Sequence, residues 1–203
     1  ARRGARVVAC PRRARALQMN QGAAVARGDV LIFLHADVRL GQSAYAAMCE
    51  VLTDLEVIGG GFRRRFDSAS IVLDLGCRLA DVRGRWFHIF LGDQAIFVRR
   101  EVFQSLGGFP EILLFEDLAF SRRLARVGKM RLVEKPVLAS SRRFDREGNL
   151  LRLCRNLWLA ARYLLGADPD RLAQRYYPGY YPTYYCAGRE PARPRAAGSL
   201  TKI

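Results

Sequence analysis

Three acidic segments of this chain stand where an α/β sheet would offer them to a ligand. The first polar residues after the apolar run Val30 to Leu34 are His35, Ala36 and Asp37, and in open α/β sheets ligands bind just outside the carboxyl ends of the strands. A carboxylate there suits Mg²⁺ or Mn²⁺, hard cations that share oxygen ligands with a diphosphate. The same aspartate would also serve simply to open a turn before the next helix. Glu116-Asp117 follows the loop Gly108-Phe109-Pro110 at the entry of a helix, a place for a base but also a place where acids merely complement the helix dipole. Gly92-Asp93-Gln94 precedes a short strand and brings a carboxylate and an amide able to bind hydroxyl groups.

The elements that must position these residues alternate. Arg6 to Cys10 reads as a short strand, and Ala14 to Ala26 as a helix ended by Gly28, whose lack of a β-carbon allows a positive φ. Val30 to Leu34, apolar throughout, reads as a parallel strand covered on both faces and as the centre of the sheet. Ser43 and Ser68 are candidate N-caps for two helices. Ile58 to Phe66 reads as a strand entered through three glycines, Ala95 to Val98 as a short strand, and the helix after it stops at Gly107-Gly108. A helix from Glu116 to Gly128 leads to a strand around Met130 to Leu138. This alternation predicts an α/β domain with a mainly parallel sheet flanked by helices.

After Gly148 the pattern changes. Leu150, Cys154, Leu157, Trp158, Ala161, Leu164 and Leu165 share one helical face, with Arg152, Arg155 and Arg162 off it. Such a C-terminal amphipathic helix either packs on the domain or makes a peripheral contact with anionic membrane. The expected organisation is therefore residues 1–148 as the α/β domain, 149–177 as a helical segment and 178–203 as a disordered tail rich in Tyr, then Ala, Arg and Pro.

With 203 residues, half of them apolar, the chain can bury a core without staples. Its five cysteines form no C-x-x-C pair, which fits reduced thiols better than a disulfide framework or a zinc site. No apolar run reaches the roughly 20 residues of a membrane span and the N-terminus has no signal-peptide core, so the expected location is cytoplasmic, with a peripheral place on the inner membrane face as an option. The formal charge of +15, from 34 basic and 19 acidic residues, favours polyanions without choosing among nucleic acid, lipid headgroups and diphosphates.

The order of the motifs is more specific than any one of them. Arg15-Ala16-Leu17-Gln18-Met19-Asn20-Gln21-Gly22, then Arg27-Gly28-Asp29 and the strand to His35-Ala36-Asp37, resembles the central segment of family 2 glycosyltransferases. Gly92-Asp93-Gln94, Phe97-Val98-Arg99-Arg100, Gly107-Gly108-Phe109-Pro110 and Glu116-Asp117 resemble its acceptor half. Phe33-Leu34-His35-Ala36-Asp37 and Ser141-Arg142-Arg143-Phe144 are similar to a bacterial subgroup named for arsenosugar biosynthesis. The resemblance spans roughly residues 6–177.

It implies a GT-A, Rossmann-like fold, a nucleotide-sugar donor, an acceptor of unknown identity and a divalent metal, Mg²⁺ or Mn²⁺. Asp37 matches the last carboxylate of the family's Asp-x-Asp motif, which holds the metal on the donor diphosphate; His35 stands in place of the first. Asp117 matches the base that deprotonates the acceptor hydroxyl in inverting enzymes. Arg15 and Asn20 fall on the donor side, Asp93, Gln94 and Glu116 on the acceptor side, and Arg142 and Arg143 where relatives carry a metal-assisting histidine. Relatives begin with a strand, a helix and a second strand before the point where this sequence starts, so the chain reads as truncated at its N-terminus. Two other classes share parts of this pattern. A basic α/β module would bind RNA or anionic membrane without turnover, although no strand carries the aromatic and basic pattern of an RNA-binding sheet and no nucleic acid is expected as a partner. A nucleotidyltransferase would need a glycine-rich phosphate loop near its N-terminus.

Overall fold

The structure, a computed structural model, describes residues 5–10 and 14–176, with the side chains of Arg143 and Arg146 outside the description. The expected C-terminal tail, 178–203, lies outside the described residues. The elements run α1 (Arg15–Val25), β1 (Val30–Phe33), β2 (Val38–Arg39), α2 (Gln42–Val51), β3 (Val57–Phe66), α3 (Ile71–Phe87), a single 3₁₀ turn (Gly92–Gln94), β4 (Ile96–Arg99), α4 (Arg100–Ser105), α5 (Glu116–Val127), β5 (Lys129–Ala139), α6 (Arg142–Glu147), α7 (Asn149–Leu164) and α8 (Pro169–Tyr176). The architecture is mixed α/β, as the alternation of patterns predicted.

The sheet has five strands in the order β1-β4-β3-β5-β2. Only β3 and β5 pair in parallel; β1 with β4, β4 with β3 and β5 with β2 are antiparallel. The expectation of a mainly parallel sheet is thus corrected to a mixed one, and β1, expected at the centre, lies at an edge of it. Its apolar run did report burial of both faces. Leu31 and Phe33 join Ile96 and Val98 on one side, while Val30 and Ile32 pack with Ala95 and Phe97 on the other. Burial on two faces fixes composition but says nothing about the direction of the neighbour, which β4 sets by returning antiparallel.

A short connection forces the sheet to curl. β1 and β2 are its two opposite edges, about 19 Å apart if four strand spacings lay flat, yet only four residues join them. The Val38 N–H donates to the His35 carbonyl at 3.0 Å, and such a turn brings its ends within about 7 Å. With the two remaining residues the link reaches no more than about 14 Å, so the edges must bend toward each other.

Other local expectations divide. Residues 5–10 form no strand, and Val7 is exposed, because no neighbour among the described residues offers them a ladder. Gly28 does not take a positive φ; α1 ends on an extended Ala26. Neither Ser43 nor Ser68 caps a helix: α2 and α3 start after Gly41 and Ser70. Gly107 and Gly108 do adopt positive φ, 72° and 74°, where α4 stops. In β3 the glycines allow close approach, since a β-carbon on Gly60 would meet the Arg131 carbonyl oxygen at 1.9 Å and one on Gly61 the Phe90 ring at 2.6 Å.

Phe33, Phe103, Phe109 and Phe120 pack edge-on or tilted with centroids 4.5–5.8 Å apart. Each buried ring contributes about 1.5–3 kcal/mol by leaving water, and together they fix α4, α5 and the loop between them against β1. A second small core of Leu114, Leu159, Leu172 and Ala173 holds α7 and α8 to the segment before α5. Arg152, read as bordering a lipid-facing surface, is instead buried: it pairs with Glu147, and its Nη2 donates to the Tyr176 hydroxyl at 2.9 Å. Arg155 turns to the same Glu147 at 2.5 Å. The side of α7 turned inward carries Arg152 and Leu159, while Leu150, Leu157, Trp158 and Leu164 stay exposed.

Candidate functional site

The pairing pattern gathers the chemistry at one sheet end. Phe33, the last residue of β1, is opposite Ile96, the first of β4, while Val38 at the start of β2 is opposite Ala139 at the end of β5, itself in register with Phe66 at the end of β3. The loops holding His35 to Asp37, Gly92 to Gln94, Asp67 and Ser140 to Arg142 therefore leave the sheet at the same end.

Around Gly92 the packing is tight. Its N–H donates to Asp117 Oδ2 at 2.7 Å, and a β-carbon at this position would come within 2.2 Å of His35 Nε2 and 3.3 Å of Asp117 Oδ2. Only glycine admits the imidazole and the carboxylate to this spot. Asp117 is buried, and its Oδ1 accepts from the Leu118 N–H at 2.7 Å. Among the described residues His35 Nε2 is enclosed without a hydrogen-bond partner, as is Asp93 Oδ1. Buried polar atoms are nearly always satisfied, so these two, beside a buried carboxylate, are free to take a water or a polar ligand group.

Asp93 reaches across to Arg64, with which it forms an ion pair. Burial by itself would raise the Asp93 carboxyl, but the nearby Arg64, Arg83 and His35 outweigh it and hold it below its ordinary value. Arg83 Nη2 donates to Gln94 Oε1 at 2.5 Å, Gln94 Nε2 donates to the Phe62 carbonyl at 3.2 Å, and the Leu91 N–H donates to Gln94 Oε1 at 3.3 Å. Gln94 is fully buried. Its amide braces the turn that presents Asp93.

Glu116 is fully enclosed beside Arg15, whose Nε lies 2.9 Å from Oε1 and whose Nη2 donates to Oε2 at 3.2 Å. Burial first, and then the neighbouring Asp117, push the Glu116 carboxyl up to about 7, with Arg15 pulling the other way. Asn20, expected on the donor side, turns both ends of its amide to one residue: Nδ2 donates to the Phe109 carbonyl and Oδ1 accepts from the Phe109 N–H, both at 2.9 Å. It clamps the loop that leads to α5. Phe115 enters α5 at φ 67° and Ala95 leaves the 3₁₀ turn at φ 51°. Left-handed backbone at non-glycine residues costs about 1–2 kcal/mol, and such strain is concentrated at functional sites.

A few residues away, a cleft of about 290 Å³ is lined by Ala36, Asp37, Arg39, Asp67, Ser140 and Arg142 among others. Asp67 is occupied: its Oδ1 accepts the Ser141 N–H at 2.6 Å, and Ser141 with Arg39 lowers its carboxyl below the usual value. Arg142 Nε donates to Ser140 Oγ at 3.1 Å. Asp37 is half-buried at this cleft, with its carbonyl accepting the Ser140 N–H at 2.9 Å. Among the described residues no three His, Cys, Asp or Glu side chains converge on one point. One carboxylate with two arginines nonetheless suits a diphosphate carrying Mg²⁺, an ion that keeps waters and phosphate oxygens as most of its ligands. Arg143 lies on α6 with its side chain outside the described residues.

No protein-family model, curated protein or solved structure matches the chain. The site must therefore be read from its own geometry and from the motifs in the sequence. That geometry brings His35, Asp93 and Asp117 together, puts Asp37 with Arg142 in the adjoining cleft, and turns Asn20 and Gln94 to bracing. The sequence reading missed Arg64 and Arg83 at the acidic turn, and Arg39 and Asp67 in the cleft. Arg63-Arg64-Arg65 inside a strand was the available signal, since alternation turns the middle arginine to the opposite face from its neighbours, and a buried arginine needs an acid.

Proposed function

We propose that the chain is a glycosyltransferase of family 2 type, which moves a sugar from a nucleotide-diphosphate donor to an acceptor hydroxyl with inversion at the anomeric carbon. The observation that carries this reading is the turn His35 to Val38. It sends His35 toward Asp117 on one side and Asp37 into the arginine-lined cleft on the other, so a group that binds anions and a group that accepts a proton are separated by one β-turn.

In this reading Asp37, Arg39 and Arg142 receive the donor diphosphate. A divalent metal held by Asp37 would neutralise the charge that grows on the leaving nucleoside diphosphate. The two arginines act on that same charge, with fixed donors that need no reorganisation. On the other side of the turn, Asp117 takes the proton of the acceptor hydroxyl as its oxygen attacks C1 of the sugar, and the C1–O bond to the diphosphate breaks. Asp93 Oδ1 and His35 Nε2, both enclosed and unsatisfied, are placed to bind hydroxyls of the sugar or acceptor. Gly92, by its N–H bond to Asp117, orients the base.

Calorimetric titration of the chain with UDP, and separately GDP, in the presence and absence of Mn²⁺ tests the donor half. Binding that Mn²⁺ strengthens, with that gain lost in Asp37→Asn, supports the reading. Absence of binding by both nucleotides, with RNA affinity that falls steeply with salt and ignores metal, would replace it with a nucleic-acid-binding module.

A further inference from the structure

We infer that the chain docks on an anionic lipid surface through one apolar face built from α3 and α7. In α3, Ile71, Leu75, Leu79, Val82 and Trp86 are all at least half exposed, and at 100° per residue they fall in a single arc of about 80°. The amphipathicity of α7 is turned outward. Leu150, Leu151, Leu157, Trp158, Leu164 and the following Leu165 are exposed, while Arg152 is buried and the amide oxygens of Asn149 and Asn156 are enclosed.

The two helices start from one corner, where Asn149 Nδ2 donates to Ser70 Oγ at 2.9 Å, and they meet again where Leu153 approaches Gly76, 3.5 Å from the position of a β-carbon there. They thus run in the same direction. The apolar arc lies about 100° before the contact line in α3 and about 90° after it in α7, which places both arcs on the same side of the pair. No other described residue covers them. Apolar patches beyond about 300–600 Å² are rare on soluble monomers and mark interaction surfaces, and this one presents eleven large side chains.

The charges around it choose the occupant. Arg78 and Arg85 border the α3 arc, Arg85 being paired with Glu134 at 2.8 Å, and Arg162 borders that of α7. The guanidinium groups of Arg162 and Arg175 lie 5.7 and 5.8 Å from the Trp158 ring centroid. α7 contains no acid, and the one exposed acid of α3, Asp74, is 3.4 Å from Arg65. A two-fold pairing of copies through this face would set a cationic rim against itself. An anionic bilayer complements it, taking the leucines into the acyl boundary, the tryptophans at headgroup depth and the arginines against phosphate. The basic excess of the whole chain, +15, acts in the same direction.

Trp86 and Trp158 are the chain's two tryptophans, so intrinsic fluorescence reads this face directly. The full chain is titrated with phosphatidylglycerol–phosphatidylcholine vesicles and with pure phosphatidylcholine vesicles, plain or carrying brominated acyl chains. A blue shift with quenching by bromine, seen only with the anionic vesicles, is the expected result. The double variant Leu79→Glu, Leu157→Glu, both exposed positions, should keep the native circular dichroism and need at least about tenfold more lipid for half-binding. Any of four results would overturn the inference. One is no spectral change with anionic vesicles, and a second is equal lipid affinity of the variant. Another is a concentration-dependent blue shift without lipid, which assigns the face to a second copy. The fourth is an emission already blue in dilute lipid-free protein, which assigns it to a cover within the chain.

Discussion

The Gly92 N–H donates to Asp117 Oδ2 at 2.7 Å, and so ties the turn before β4 to the first turn of α5. Gly92 and Asp117 are 25 residues apart, and the bond both satisfies a buried carboxylate and aims it at the space shared with His35.

Asp117→Asn should lower sugar transfer by about 10² to 10⁴ while UDP affinity barely moves, the range a general base commonly supplies. Glu116→Gln is the control, because its carboxyl sits near 7 and it is the neighbouring candidate. A larger loss of turnover in Glu116→Gln than in Asp117→Asn would exchange the two roles. No loss in either would end the proposed mechanism.

Asp37→Asn should remove the metal-dependent part of UDP binding without changing the unfolding midpoint, since Asp37 lines an open cleft and not the core. Arg142→Ala should weaken UDP both with and without Mn²⁺, by about 1–3 kcal/mol for a charge-assisted contact. Calorimetry separates these: equal affinity of wild type and Asp37→Asn in Mn²⁺ would exclude Asp37 as a metal ligand.

Glu116 also makes stability depend on pH. Its carboxyl is raised from 4.5 to about 7 in the folded chain, so between these values the native state holds a proton that the unfolded state has lost. Stability from this group therefore falls as pH rises through that window, by of order 3 kcal/mol in full. Urea midpoints from pH 4.5 to 8 should decline less in Glu116→Gln than in wild type. Parallel curves would mean that Arg15 keeps the carboxylate ionised throughout.

Asn20→Ala should cost about 2–3 kcal/mol in urea unfolding, from two buried backbone groups of Phe109 left unmatched, and should reduce turnover by displacing α5. If stability fell without any change in transfer, the clamp would be structural alone and the position of α5 would be fixed by the phenylalanine cluster.

How much was legible depends on what each signal encodes. Alternating patterns gave the longer strands and helices close to their observed bounds, because backbone period and burial are local, whereas the strand read at Arg6 to Cys10 does not form and the short β2, α6 and α8 were not read. The motif residues His35, Asp37, Asp93 and Asp117 could be singled out because their neighbours are apolar strands or glycine loops, and a polar residue there stands out. The helical period also showed that α7 has an apolar side. Strand direction and order could not be read this way, since a residue buried on both faces has the same composition beside a parallel or an antiparallel neighbour. Which face of α7 turns inward was likewise settled by partners outside the helix, Tyr176 for Arg152, and Leu114 and Leu172 for Leu159. The same holds for function at single residues. Asn20 and Gln94 carry side chains able to bind a sugar, but Phe109 and Phe62, 89 and 32 positions away, already take their hydrogen bonds. Residue type sets what a side chain can bind; only the tertiary structure decides whether that capacity is already spent.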